Sequence, residues 1–178
     1  MMPNSWSLKP LKMKISNLAM LFLTLALAQS TICRASEESE DEDSEIPLNI
    51  RATAGAWKAF RNNDYGEALE KADECIARYQ PSADKMQAVL EAAKTTLPSG
   101  TVSEADQQRI YQYGILHDVA TCLLIKGWIA EKQGKKAEAA KVYGEVKKYS
   151  YARVSEHPGE PYWSPAEVAA EQLKELSR

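Results

Sequence analysis

The sequence predicts an all-α fold: a right-handed solenoid of about six helices, built from stacked helical hairpins, with a long central helix and a C-terminal capping helix. Two observations carry that expectation. A segment of about twenty residues occurs twice, 71 residues apart. Ala56-Trp57-Lys58-Ala59 returns as Gly127-Trp128-Ile129-Ala130, Gly66-Glu67-Ala68-Leu69 as Ala137-Glu138-Ala139-Ala140, and Glu74-Cys75 as Glu145-Val146. Repetition of a helix-turn-helix unit marks architectures in which each unit buries its apolar face on the next. The second observation is that, from Ile46 onward, apolar side chains recur at three-to-four spacing, the period of a helix with one buried face.

The chain has 178 residues, enough for one domain preceded by an export segment and a linker. Residues 1–28 have the parts of a signal peptide: Lys9, Lys12 and Lys14, then an apolar run from Leu18 to Leu27, then Ala26-Leu27-Ala28 as a small-x-small cleavage site. The run is about half of the ~20 residues a membrane helix needs, which makes an uncleaved anchor the weaker reading. A lipoprotein signal ending at Cys33 would want a small residue where Ile32 stands. Cleavage near Ala28 and export to the periplasm or beyond the cell are therefore expected, without membrane contact afterwards. Residues 37–45 hold seven acids and no apolar side chain. Such a run cannot bury enough surface to offset its ordering entropy, so 29–45 are expected to form a disordered acidic linker. The domain is expected over 46–178, where 18 Lys and Arg balance 18 Asp and Glu. That balance leaves no basic excess for a nucleic-acid backbone, and no nucleic-acid partner is expected.

Within the domain, a first helix is expected over 49–62, with Ile50, Ala54, Trp57 and Phe60 along one side. Asn62-Asn63-Asp64 makes a turn, and Asp64 can cap the next helix. That helix runs from Tyr65 to Tyr79, turns Ala68, Leu69, Ala72, Cys75 and Ile76 inward, and is expected to stop before Pro81. Pro81-Ser82 then opens a third helix carrying Met86, Val89, Leu90 and Ala93, which ends at Leu97-Pro98-Ser99-Gly100. Ser103, with Asp106 three residues on, resembles an N-cap pair. No proline interrupts 104–133, which favours one long helix or two in tandem, any bend falling at Gly114. Gly134-Lys135-Lys136 turns the chain into a helix over 137–149, and Pro158-Gly159-Glu160-Pro161 is a loop. The last helix has the clearest start: Ser164 as N-cap, Pro165 at the first helical position, Glu167 completing a capping box, and Trp163 placed to staple onto Val168.

Each repeat places a small residue in its first helix (Ala56, Gly127) and another twelve residues on (Ala68, Ala139), which lets two helices approach closely. With Tyr143 at its spacing from Gly127 and Ala139, and with the turns Asn63-Asp64-Tyr65-Gly66 and Gln133-Gly134-Lys135, the chain resembles the tetratricopeptide repeat (TPR) family. The resemblance covers roughly 49–81 and 120–151, and 82–119 can be read as a degenerate middle repeat. Gly55 and Lys126 stand where that family has a leucine, and Ala59 and Ala130 where it has an aromatic residue. The resemblance implies a protein or peptide partner held on a concave face lined by the first helices. Carried onto this chain, that face comprises Thr53, Trp57, Phe60 and Arg61 with Leu124, Trp128, Glu131 and Lys132. Trp57 and Trp128 are the candidate anchors, since tryptophan is enriched at interface hot spots. They occupy the place of the asparagine that reads carboxylates in one subtype, so acidic C-terminal peptides are not the expected ligand.

Three cysteines in an exported chain allow one disulfide, and Cys75 with Cys122 is the pair to consider, if their helices touch; the alternative is two buried small apolar residues. Only two histidines are present, His117 and His157, without paired ligand spacing, so neither a metal site nor another cofactor is expected. No phosphate-binding loop, nucleophile elbow or zinc-protease motif occurs. His117-Asp118 is an adjacent acid-base pair, but neighbours in a helix point in different directions. The expectation is a non-enzymatic protein-binding or assembly module of the cell envelope. The alternative is a self-associating structural protein forming a homo-oligomer.

Overall fold

The structure, a computed structural model, describes residues 46–157 and 159–178; the expected signal peptide and acidic linker lie outside the described residues. Six helices account for most of it: α1 (Leu48–Arg61), α2 (Tyr65–Ala92), α3 (Glu104–Tyr111), α4 (Gly114–Lys132), α5 (Lys136–Val146) and α6 (Pro165–Leu176). Among the described residues there is no strand, only two isolated bridges, Gly100 with Tyr162 and Val154 with Trp163. The fold is all-α, as the periodicity predicts. No helix among the described residues is long and apolar enough to cross a membrane.

Helix α4 is the centre. It packs on α1, α2, α5 and α6, while α1 also lies on α2 and α5 on α6. Its side chains are buried nearly all round, with Leu116, Val119, Ala120, Cys122, Leu123, Leu124, Ile125 and Ile129 in the core. A helix apolar on every side is one enclosed by others.

The two repeats fold alike at their turns. Asn62, Asn63 and Asp64 donate backbone N–H bonds to Lys58, Phe60 and Ala59; Gln133, Gly134 and Lys135 do the same to Ile129, Glu131 and Ala130. Asn63 and Gly134, equivalent in the repeat, both take positive φ, at 61° and 74°. The left-handed conformation is open to glycine and tolerated by asparagine, which is why those residue types stand there. Asp64 Oδ1 then accepts from the Glu67 N–H at 3.0 Å, the cap its position predicts. Ser103 and Ser164 also cap as predicted, accepting from the N–H groups of Asp106 and Glu167.

One boundary departs clearly from expectation. Pro81 does not end a helix: α2 runs unbroken through it for 28 residues and stops at Ala92, so no separate helix begins at Pro81-Ser82. Proline removes one N–H and crowds the carbonyl four residues back, at a cost of about 3 kcal/mol in a helix interior. Pro81 and Ala77 are exposed, so water can satisfy that carbonyl. The inward stripe continues across the proline in one register: Ala68, Ala72 and Cys75 before it, Ala83, Gln87 and Leu90 after it, all buried. Burial along α4 outweighs the local penalty. Of the one long helix or two in tandem expected over 104–133, the structure has two, parted at Gln112-Tyr113, with Gly114 opening α4 at the predicted bend.

Pro81→Ala is therefore expected to stabilise the protein by about 2 kcal/mol, the helix penalty less the entropy proline removes from the unfolded chain. Urea unfolding checks this: the midpoint should rise at unchanged slope. A fall would mean that the ring itself packs or that a bend is needed there.

Candidate functional site

Trp57 and Phe60 sit one turn apart on α1, and Trp128 lies opposite them on α4. The two indoles approach to 5.6 Å between ring centroids at 54°. Phe60 stacks on Trp128 at 5.6 Å and 23°, and meets Trp57 edge-on at 6.2 Å and 71°. Tyr65, the first residue of α2, extends the row at 6.1 Å from Phe60. Each such aromatic pair contributes about 0.5–1.5 kcal/mol beyond its buried area, so the rings partly hold α1 against α4. They are not enclosed: all four are half-buried at the rim of the core. Two exposed cations lie over them, the Arg61 guanidinium 5.8 Å from the Trp57 ring and the Lys132 ammonium 6.0 Å from the Phe60 ring.

Beside the rings is an open cavity of about 330 Å³ lined by Trp128, Glu131 and Lys132 of α4 and by Gln172 of α6. Glu131 is half-buried there and accepts a 2.7 Å hydrogen bond from the Tyr143 hydroxyl, which fixes its direction. The patch offers apolar ring faces, two exposed cations and an amide. It suits the recognition of an apolar side chain flanked by acceptors, and contains no nucleophile paired with a base.

Of the predicted face, Trp57, Phe60, Arg61, Trp128 and Lys132 converge, and Glu131 borders them. Leu124 does not belong to it. Its side chain is fully buried, and Thr53, its equivalent in the first repeat, is buried as well. Both lie one turn before their tryptophans but point into the core, Leu124 because α4 is enclosed by four helices. Tyr65 and Gln172 were outside the expected set. Tyr65 follows a legible cap, while nothing local to Gln172 announces where α6 docks.

A second polar cluster lies inside the α1–α2–α4 junction. The Thr53 hydroxyl donates to the Asn49 carbonyl at 2.9 Å and lies 3.7 Å from the Cys75 sulfur and 3.5 Å from the Cys122 sulfur. Both thiols are free and fully buried. The Asn49 amide donates to Asp118 at 2.6 Å. Burial raises the Asp118 pKa against the opposing hydrogen bond from Asn49. A third group joins distant segments: His117 Nε2 is 2.8 Å from the Ile110 carbonyl, and the Arg153 N–H donates to His117 Nδ1 at 3.2 Å. The Arg153 guanidinium in turn donates to the carbonyls of Leu97, Ser150 and Ala152. His117 is thus a satisfied core residue. Among the described residues no three His, Cys, Asp or Glu side chains gather as a metal site would require. Neither protein-family models nor curated proteins nor solved structures significantly match this chain.

Proposed function

We propose that the protein is a non-enzymatic binding module, a TPR-like stack of two hairpins closed by α6, which holds a protein or peptide partner against the α1–α4 face. The observation that carries this reading is the cluster of Trp57, Phe60 and Trp128, half-exposed and overlaid by Arg61 and Lys132. Its support is positional. The two tryptophans are equivalent residues of a duplicated unit, the unit's turns share the same three backbone hydrogen bonds, and α1 packs beside α4 as first helices do in such stacks. Aromatic side chains with a neighbouring arginine are the usual anchors of protein interfaces. The apolar run before Ala28 adds export to the reading, with the periplasm or cell envelope as the place of action.

Affinity capture with the full chain from an envelope extract tests it. Proteins retained by the wild type should fall at least tenfold with Trp128→Ala, about 1.4 kcal/mol or more of binding energy. A Lys132→Glu variant should change association rate and salt dependence. Capture that is unchanged by Trp57→Ala and Trp128→Ala, with helix content intact by circular dichroism, would count against the site.

A further inference from the structure

We propose that Cys75 and Cys122 are a disulfide pair, a covalent staple that joins α2 to α4 beneath α1. Helices α2 and α4 lie along each other, and the Asp73–Lys126 ion pair ties the same stretch two residues before Cys75 and four after Cys122. The two sulfurs converge on one atom, the Thr53 hydroxyl oxygen, at 3.7 and 3.5 Å. They are fully buried, and among the described residues no other thiol competes for either. Packing alone does not demand a thiol at 75, because the equivalent position of the second repeat is filled by Val146, equally buried. The staple is independent of any partner bound at the aromatic face.

The bond forms by exchange with a low-molecular-weight disulfide. The Cys75 thiolate attacks one sulfur of that disulfide and expels the other as a thiolate. The Cys122 thiolate then attacks the Cys75 sulfur and expels the second. One protein S–S bond forms, two protein S–H bonds are lost, and the oxidant leaves as two thiols carrying the two protons. The two cysteines are interchangeable in this scheme, since either thiolate can make the first attack once the sulfurs are uncovered. Since α1 brings Thr53 over both sulfurs, exchange occurs while α1 is undocked, during folding or local opening.

The test uses the full chain carrying Cys33→Ser, refolded from urea with either oxidised glutathione or a reducing agent. Expected under oxidant are the loss of two hydrogens by intact mass and a proteolytic fragment joining Cys75 to Cys122. Helical circular dichroism should stay unchanged, and Tm should lie roughly 10 °C above that of the reduced form, because the bond closes a long loop of the unfolded chain. Cys75→Ala and Cys122→Ala should melt alike in both buffers. Two free thiols in fully refolded oxidised protein would overturn the proposal. So would a linked form that is less helical or melts no higher than the reduced one. If either alanine variant fails to fold, the oxidised–reduced comparison of the parent chain still decides.

Discussion

Gly127→Ala is expected to destabilise the protein by about 3 kcal/mol, although alanine is ordinarily the better helix residue by about 1 kcal/mol. A β-carbon at position 127 would fall 2.7 Å from Tyr143 Cδ1 and 3.2 Å from its Cζ, and closer still to Cε1. The ring has nowhere to go. It is fully buried between α4 and α5, and its hydroxyl is tied to Glu131 on α4 itself at 2.7 Å. The first repeat solves the same crossing with smaller parts, Ala56 opposite Ala72, both fully buried. That comparison supplies the control. Tyr143→Ala alone should cost about 3–5 kcal/mol through the lost ring and its cavity. In that background Gly127→Ala should change sign and stabilise by up to about 1 kcal/mol, because no ring remains to clash and the helix gains a β-carbon. Urea unfolding of the four proteins in this cycle measures the coupling. Additive costs would mean that Gly127 serves a purpose other than admitting the ring.

That crossing shows why part of the fold was legible. A duplicated unit exposes its own spacing, so the small residues at 56 and 127, the turns at 62–64 and 133–135, and the tryptophans at 57 and 128 pair from the sequence alone. The register pairs Trp57 with Trp128, and the TPR resemblance adds Phe60, Arg61 and Lys132 to the same face. What misled was a local rule applied without its tertiary competitor. Pro81 reads as a stop, yet Ala72, Cys75, Ala83, Gln87 and Leu90 keep one stripe across it, and burial of that stripe prevails. Leu124 shows the converse. The unbroken apolar run from Cys122 to Ile125 already marks a helix enclosed on all sides, where a face borrowed from a two-sided helix cannot apply. Gln172, Arg153 and the Ile110 carbonyl were beyond reach for another reason. Gln172 and Arg153 meet segments far away in sequence, and Ile110 and Arg153 reach His117 through backbone atoms, which are the same at every residue.

The largest pH effect is expected at one of those contacts. Ile110 offers only a carbonyl to His117 Nε2, and Arg153 only an N–H to Nδ1, so the buried ring is neutral with its proton on Nε2. Burial lowers its pKa to about 4, with the nearby Arg153 charge acting in the same direction and the Ile110 hydrogen bond against it. In the unfolded chain a histidine titrates near ~6.5. The folded value is the depressed one, so stability is complete above pH ~6.5 and is lost as the pH falls towards ~4, where the folded ring also charges. The window corresponds to about 3 kcal/mol, a large share of a domain's stability. Asp118 acts oppositely: its raised pKa favours the protonated acid in the fold and offsets part of the loss in the acidic part of the window. Urea unfolding at pH 7, 6, 5 and 4 should therefore show stability falling with acid. His117→Gln, less stable at pH 7, should show a flatter profile, and the difference between the two isolates the ring. Hydrogen exchange locates the event, because a proton on Nδ1 takes away the acceptor of the Arg153 amide. That amide should lose protection before the Trp128 end of α4 does. Parallel pH profiles for wild type and His117→Gln would show that the ring titrates alike in the folded and unfolded states, so that burial does not depress its pKa.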